Sequence, residues 1–261
     1  MKTLAQYIAE YQPTQEHNDQ LFAEFATLTD KVPFLKAHRD WVEKNRWGFG
    51  DRPYHYMWYL LLTQKVLRRD KPRLLEIGVY KGQVISLWCL IALRQGVGIN
   101  ISAVSPLSGT KPKLEILHKA LFRLSSSYRK MVWQGDLYPQ SDYLSDIQKI
   151  FRKFLADMSQ VELLRGRSQD RQIQASLAGK QFDVVYIDGA HSYEEVRQDI
   201  RFYGEMVEPG GYLVMDDAAF FQPATLFWKG HEEVSLAAEE IDKNKFANVL
   251  NVGHNRIYRR L

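Results

Sequence analysis

Cysteine is nearly absent: Cys89 stands alone in 261 residues, so no internal disulfide can staple the chain. That usage agrees with a reducing compartment. Long apolar runs are missing too. No stretch approaches the roughly 18 apolar residues that a membrane-crossing helix requires. The first residues carry Glu10, Glu16 and Asp19 and lack the apolar centre of a secretory leader. These absences predict a soluble cytoplasmic protein with no membrane partner. A strong charge of one sign is also lacking. Lys and Arg number 35 against 31 Asp and Glu, a net +4, too small an excess to imply a nucleic-acid partner. The densest basic run, Arg68, Arg69, Lys71 and Arg73, falls where a helix should end before a strand and reads as a solvated helix C-terminus. Repeats and low-complexity tracts are absent, and so is the GxGxxG fingerprint that cradles a dinucleotide pyrophosphate.

What remains has the proportions of one α/β domain with an extension. Residues 1–70 read as helical, with segments at 21–25 and 34–42 separated by Pro33, then Trp47-Gly48-Phe49-Gly50, then an aromatic helix over 54–62. From 71 to 261, short apolar strands alternate with amphipathic helices. Strands are expected at 73–78, 100–105, 161–165, 182–188 and 212–216, with helices at 83–94, 113–124, 141–156, 171–177 and 193–206. The stretch 106–140 is longer than one crossover helix requires and is read as holding an insertion. Pro209-Gly210-Gly211 reads as a tight turn before a strand. The pair 246–251 and 255–260, around Gly253-His254, reads as a closing hairpin. Alternation of this kind builds a parallel sheet covered on both faces.

Ligands of open α/β sheets bind beyond the carboxyl ends of the strands, and four such ends here carry suggestive residues. The first is Glu76-Ile77-Gly78-Val79-Tyr80-Lys81-Gly82, where glycines permit a tight turn close to a ligand and Glu76 can accept from an ammonium or other polar group. The third strand ends in Gly166-Arg167-Ser168-Gln169; an ordinary helix cap at Ser168 is the competing reading. The fourth and fifth end in Asp188-Gly189-Ala190-His191 and Asp216-Asp217. Three carboxylates converging at one sheet edge repel unless protons or a cation neutralise them. Oxygen donors suit Mg²⁺ or Ca²⁺ better than zinc. The alternative is that these acids cap loops.

These motifs together resemble the class I methyltransferases that use S-adenosyl-L-methionine (SAM), over about 72–260. Within that class they resemble the small-molecule O-methyltransferases of the catechol type and the bacterial natural-product and sugar O-methyltransferases. The resemblance implies a Rossmann-like seven-stranded sheet with a C-terminal antiparallel hairpin and an N-terminal helical extension over 1–70 serving as a lid or a dimerisation element; homo-oligomerisation stays open. It implies SAM contacts from Glu76, Gly78, Tyr80, Gly82, Arg167, Ser168, Gln169 and Asp188, and an Mg²⁺ site of Asp188, Asp216 and Asp217. His191, three residues after Asp188, then falls where a base deprotonates the acceptor hydroxyl of a small molecule, with Asp188 beside it. His55 and His231 are alternatives, more readily explained as packing or surface residues. One departure stands out: the second strand ends in Ser105, where the family usually places an acid for the ribose hydroxyls; Ser105 is carried as a SAM contact that can make one such hydrogen bond but offers no charge. A nicotinamide-dependent oxidoreductase and a non-catalytic SAM-binding protein share this fold class.

Overall fold

The computed structural model describes residues 2–107, 115–128 and 143–261. Much of the stretch 106–140, where an insertion is expected, lies outside these, as do the first residues of the helices expected at 113 and 141. Four helices come first: α1 (Leu4–Glu10), α2 (Gln15–Lys31), α3 (Pro33–Asn45) and α4 (Pro53–Gln64). Thr3 and Gln6 close a capping box on α1, satisfying amides its first turn leaves free. Pro33 and Pro53 open α3 and α4, where a missing N–H costs nothing.

The sheet contains β1 (Arg73–Ile77), β2 (Asn100–Ser105), β3 (Val161–Arg165), β4 (Phe182–Ile187), β5 (Val207–Met215), β6 (Phe246–Val252) and β7 (Asn255–Arg260). Their spatial order is β3-β2-β1-β4-β5-β7-β6. The first five run parallel, and β7 lies antiparallel between β5 and β6. The intervening helices are α5 (Gln83–Gln95), α6 (Glu115–Leu124), α7 (Tyr143–Phe154), α8 (Arg171–Leu177), α9 (Tyr193–Tyr203) and α10 (Glu232–Glu239).

The central strands are apolar at successive positions because both faces are covered. Leu74, Val184, Tyr186, Tyr212 and Val214 enter a core shared with α1–α5 and α7. Their neighbours Leu75, Val185, Ile187, Leu213 and Met215 enter the core under α8–α10. The N-terminal helices therefore form part of the wall of one sheet face. Trp58 of α4 is buried edge-on against Trp88 of α5 at 4.9 Å and Tyr186 of β4 at 5.0 Å.

Two local expectations change. Pro209-Gly210-Gly211 is not a turn before the fifth strand but lies inside β5, which begins at Val207. Gly210 takes φ +74°, and a Cβ on Gly211 would stand 2.8 Å from the Asp183 carbonyl. The glycines thus let β5 approach β4 where their register shifts. Helix α10, absent from the sequence reading, follows Asp217 and packs against α9. Among the described residues no helix is long and apolar enough to cross a membrane.

Candidate active site

Beyond the carboxyl ends of β1, β2, β4 and β5 lies a cleft of about 820 Å³, the size of a cofactor pocket. Glu76, Gly78, Tyr80, Ser105, Arg167, Ser168, Gln169, Asp188, His191, Asp216 and Asp217 all line it. Gly82 does not; it turns the chain into α5 at φ +80°, with Ile147 packed where a Cβ would go. Gly78 is indispensable to the floor. At φ +94° its missing Cβ would stand 1.9 Å from the Asp188 carbonyl oxygen, so the ends of β1 and β4 meet only across a glycine.

Glu76 is buried, and burial followed by the charge of Asp216 drives its carboxyl well above the usual range. It accepts from the Ile85 amide, yet its Oε2 has no hydrogen-bond partner. Ser105 accepts from the Leu107 amide at 3.2 Å, which leaves its hydroxyl proton for another acceptor. Ser168 does not cap α8; that place belongs to Asp170. Its hydroxyl instead donates to Asp199 of α9 at 3.0 Å, beside the Gln169 amide at 3.1 Å, while Tyr203 donates to the Ser168 carbonyl at 2.6 Å. The turn over 166–169 is thus tied down from behind by α9.

The acids of β4 and β5 are arranged around a residue the sequence reading did not single out. His254, in the turn between β6 and β7, places Nδ1 2.7 Å from Asp217 Oδ1 and 3.3 Å from Asp216 Oδ1. Burial opposes its protonation, but Asp216 and Asp217 outweigh it and raise its pKa to about 10. Tyr54 of α4 holds this turn, accepting from the His254 amide at 3.2 Å with the rings edge-to-face at 4.8 Å. The pairing Met215↔Arg256 between β5 and β7 is what brings His254 beside Asp216 and Asp217. Only that antiparallel register, not any spacing along the chain, could have revealed it.

Asp217 sits at φ +53° and sends its other oxygen towards two more histidines. His191 Nε2 is 3.4 Å away and His231 Nε2 3.8 Å away, with their rings stacked at 4.4 Å. Burial and the nearby His191 lower the pKa of His231. His231 therefore belongs to the site, on a cleft wall it shares with Trp228. Asp188 lies half-buried with Tyr186 donating to it at 3.4 Å. Withdrawal from water, then Asp216 and Asp217, push its carboxyl well above the carboxylate range, so that it shares a proton with Asp216.

Among the described residues, the donor clusters that converge within 4.8 Å are His191–Asp217–His231 and Asp216–Asp217–His254; Asp188 belongs to neither. A divalent cation nevertheless suits the chemistry here. Asp216 Oδ1 is buried with His254 Nδ1 3.3 Å away, and the upward push that Asp216 and Asp217 exert on the Asp188 carboxyl reflects crowded negative charge.

A methyltransferase-domain family matches residues 75–218, more than half of the chain. The chain belongs to this family, in agreement with the resemblance its motifs show. Solved structures share the fold across nearly the whole length. A putative O-methyltransferase from Klebsiella pneumoniae aligns with TM-score 0.56 at 12% identity, over 94% of this chain and 98% of that one. TomG from Streptomyces achromogenes, an O-methyltransferase of tomaymycin synthesis solved with SAM, aligns with TM-score 0.53 at 13% identity, over 94% and 98%. The O-methyltransferase NovP aligns with TM-score 0.55 at 15% identity, over 79% of each chain. No curated protein sequence gives a significant match.

Proposed function

We propose that this methyltransferase moves the methyl group of SAM to a hydroxyl oxygen of a small-molecule acceptor. The observation that carries the reading is the meeting, in one cleft, of the Glu76–Gly78 turn and the tethered 166–169 turn with the Asp188, His191 and Asp217 cluster. SAM supplies an electrophilic methyl carbon. That carbon's bond to oxygen forms as its bond to sulfur breaks, and the sulfur keeps the electron pair. Gly78, Tyr80 and Glu76 line the end suited to the methionyl part, and Ser105 with Arg167, Ser168 and Gln169 line the end suited to the nucleoside.

In this reading His191 takes the hydroxyl proton. Its Nε2 faces Asp217 across 3.4 Å, so an imidazolium formed there meets a carboxylate. Asp188, Asp216 and Asp217 are the residues that would hold Mg²⁺, which lowers the pKa of a hydroxyl bound to it. Phe49, Tyr54 and Trp58 of the N-terminal region line the cleft together with Trp228, and in this reading residues 1–70 act as its roof. An apolar roof excludes water from the sulfonium and holds acceptor and methyl close together.

The test is a screen of hydroxylated metabolites with labelled SAM, with and without divalent metal. A methylated product is expected that His191→Gln makes roughly 10²–10⁴-fold more slowly with SAM affinity unchanged. A His191→Gln variant as fast as wild type on an aliphatic hydroxyl would move the base elsewhere, to His231 or Asp217. Activity unaffected by exhaustive chelation would remove the cation and leave the transfer reading standing.

A further inference from the structure

A second recess lies apart from the cleft, between the carboxyl end of α10 and the strands β6 and β7. Its volume is about 330 Å³, and none of the residues that line it lines the cleft. Ala238, Ile241 and Phe246 give it apolar walls and belong to the core beneath α8–α10. Arg256 and Tyr258 enter it from β7. As alternate residues of one strand, they project from the same face of the sheet.

These two side chains carry hydrogen-bonding capacity that the fold leaves unused. The Arg256 side chain is only 9% exposed. Its Nη1 donates to Glu239 Oε1 at 2.7 Å. Its Nε is buried without a partner, and so is the Tyr258 hydroxyl. The guanidinium carbon lies 5.3 Å from the centre of the Tyr258 ring, which sets guanidinium and phenol side by side. Burial pushes the Tyr258 pKa up, so its hydroxyl keeps its proton.

A buried donor without an acceptor is costly. With Nη1 committed to Glu239, the edge formed by Nε and Nη2 is the fork that remains, and such a fork matches the two oxygens of an acid group. Lys243, exposed at the rim, adds a second positive charge against the single negative charge of Glu239. A cation or a purely apolar ligand would leave the donors unpaired. A bare inorganic anion would leave the apolar walls uncovered.

We propose that this recess is a binding site, separate from the methyl-transfer cleft, for a small carboxylic acid with an apolar body. The carboxylate accepts from the Arg256 Nε edge and the Tyr258 hydroxyl, and the body packs on Ala238, Ile241 and Phe246. The site stands whether or not the cleft binds SAM.

The test is an NMR titration of the intact, isotope-labelled chain with benzoate, followed at the arginine Nε–H signals. Benzyl alcohol, which has the shape without the charge, and inorganic phosphate, which has the charge without the apolar body, are titrated in parallel. Benzoate should saturably shift an arginine signal that is missing from Arg256→Lys. Tyr258→Phe, which keeps the ring, should bind benzoate about tenfold more weakly. Both control compounds should bind more weakly than benzoate by a similar factor. No saturable shift with benzoate at tens of millimolar overturns the proposal, as does a shifted signal that persists in Arg256→Lys. Undiminished affinity in Tyr258→Phe overturns it too, and decides the matter if Arg256→Lys fails to fold. Phosphate or benzyl alcohol bound as tightly as benzoate would refute the assigned ligand class.

Discussion

At the scale of single residues, the site is governed by how its acids are neutralised. Burial with Asp216 and Asp217 pushes the Asp188 carboxyl up, and those two acids, against which His254 is wedged, favour its protonated form. Folding raises the pKa of His254 from 6.5 to about 10. The folded chain therefore holds a proton that the unfolded chain has lost across this window. Its contribution is complete below 6.5 and disappears as the pH rises through 10. In chelator-treated protein, urea unfolding should show wild-type stability falling across that interval and His254→Gln falling much less. The variant should also be about 3–5 kcal/mol less stable at neutral pH, because it leaves buried carboxylates unpaired. Equal pH dependence in the two proteins would show that His254 is not the buried cation. The acids and His191 were legible in the sequence because strand ends mark ligand sites in sheets of this kind. His254 was not, since it reaches the acids through a strand pairing that no local pattern encodes.

At the scale of elements, the glycine turns and strand periodicity announced β1–β4, whereas helix α10 was hidden. Its eight residues after Gly230-His231 form too short a stretch for amphipathic periodicity to speak clearly. The segment between β5 and α10 is held from outside. Asp19 of α2 accepts from the Thr225 amide at 2.9 Å, the Thr225 hydroxyl at 2.6 Å and the Leu226 amide at 3.0 Å. Asn18 donates to the Pro223 carbonyl at 2.8 Å, and Phe22 stacks on Phe227 at 5.0 Å. This clamp positions Trp228 on the cleft wall. Asp19→Ala should speed amide hydrogen exchange at Thr225 and Leu226 and raise the KM for the acceptor by up to about tenfold, with SAM affinity unchanged. Unchanged exchange at those amides would mean the loop needs no clamp.

At the scale of the whole molecule, the sequence suggested a helical extension ahead of a sheet domain, and the packing joins the two. Leu21, Phe25, Leu35 and Trp58 share a core with Leu74, Trp88 and Tyr186. The join was illegible because the aromatics of α4 face several partners at once, and their identity as core or pocket depends on which helices cover them. Trp58→Ala should cost about 3–5 kcal/mol and lower the melting temperature in one cooperative transition. Two separate transitions would show that residues 1–70 fold on their own. The central claim, that this packed molecule is a SAM-dependent methyltransferase, is tested most directly by calorimetric titration of the purified chain with SAM, with NADH titrated in parallel. The account predicts saturable binding of one SAM per chain and none of NADH. No heat with SAM at millimolar concentration, together with saturable binding of NADH, would contradict it.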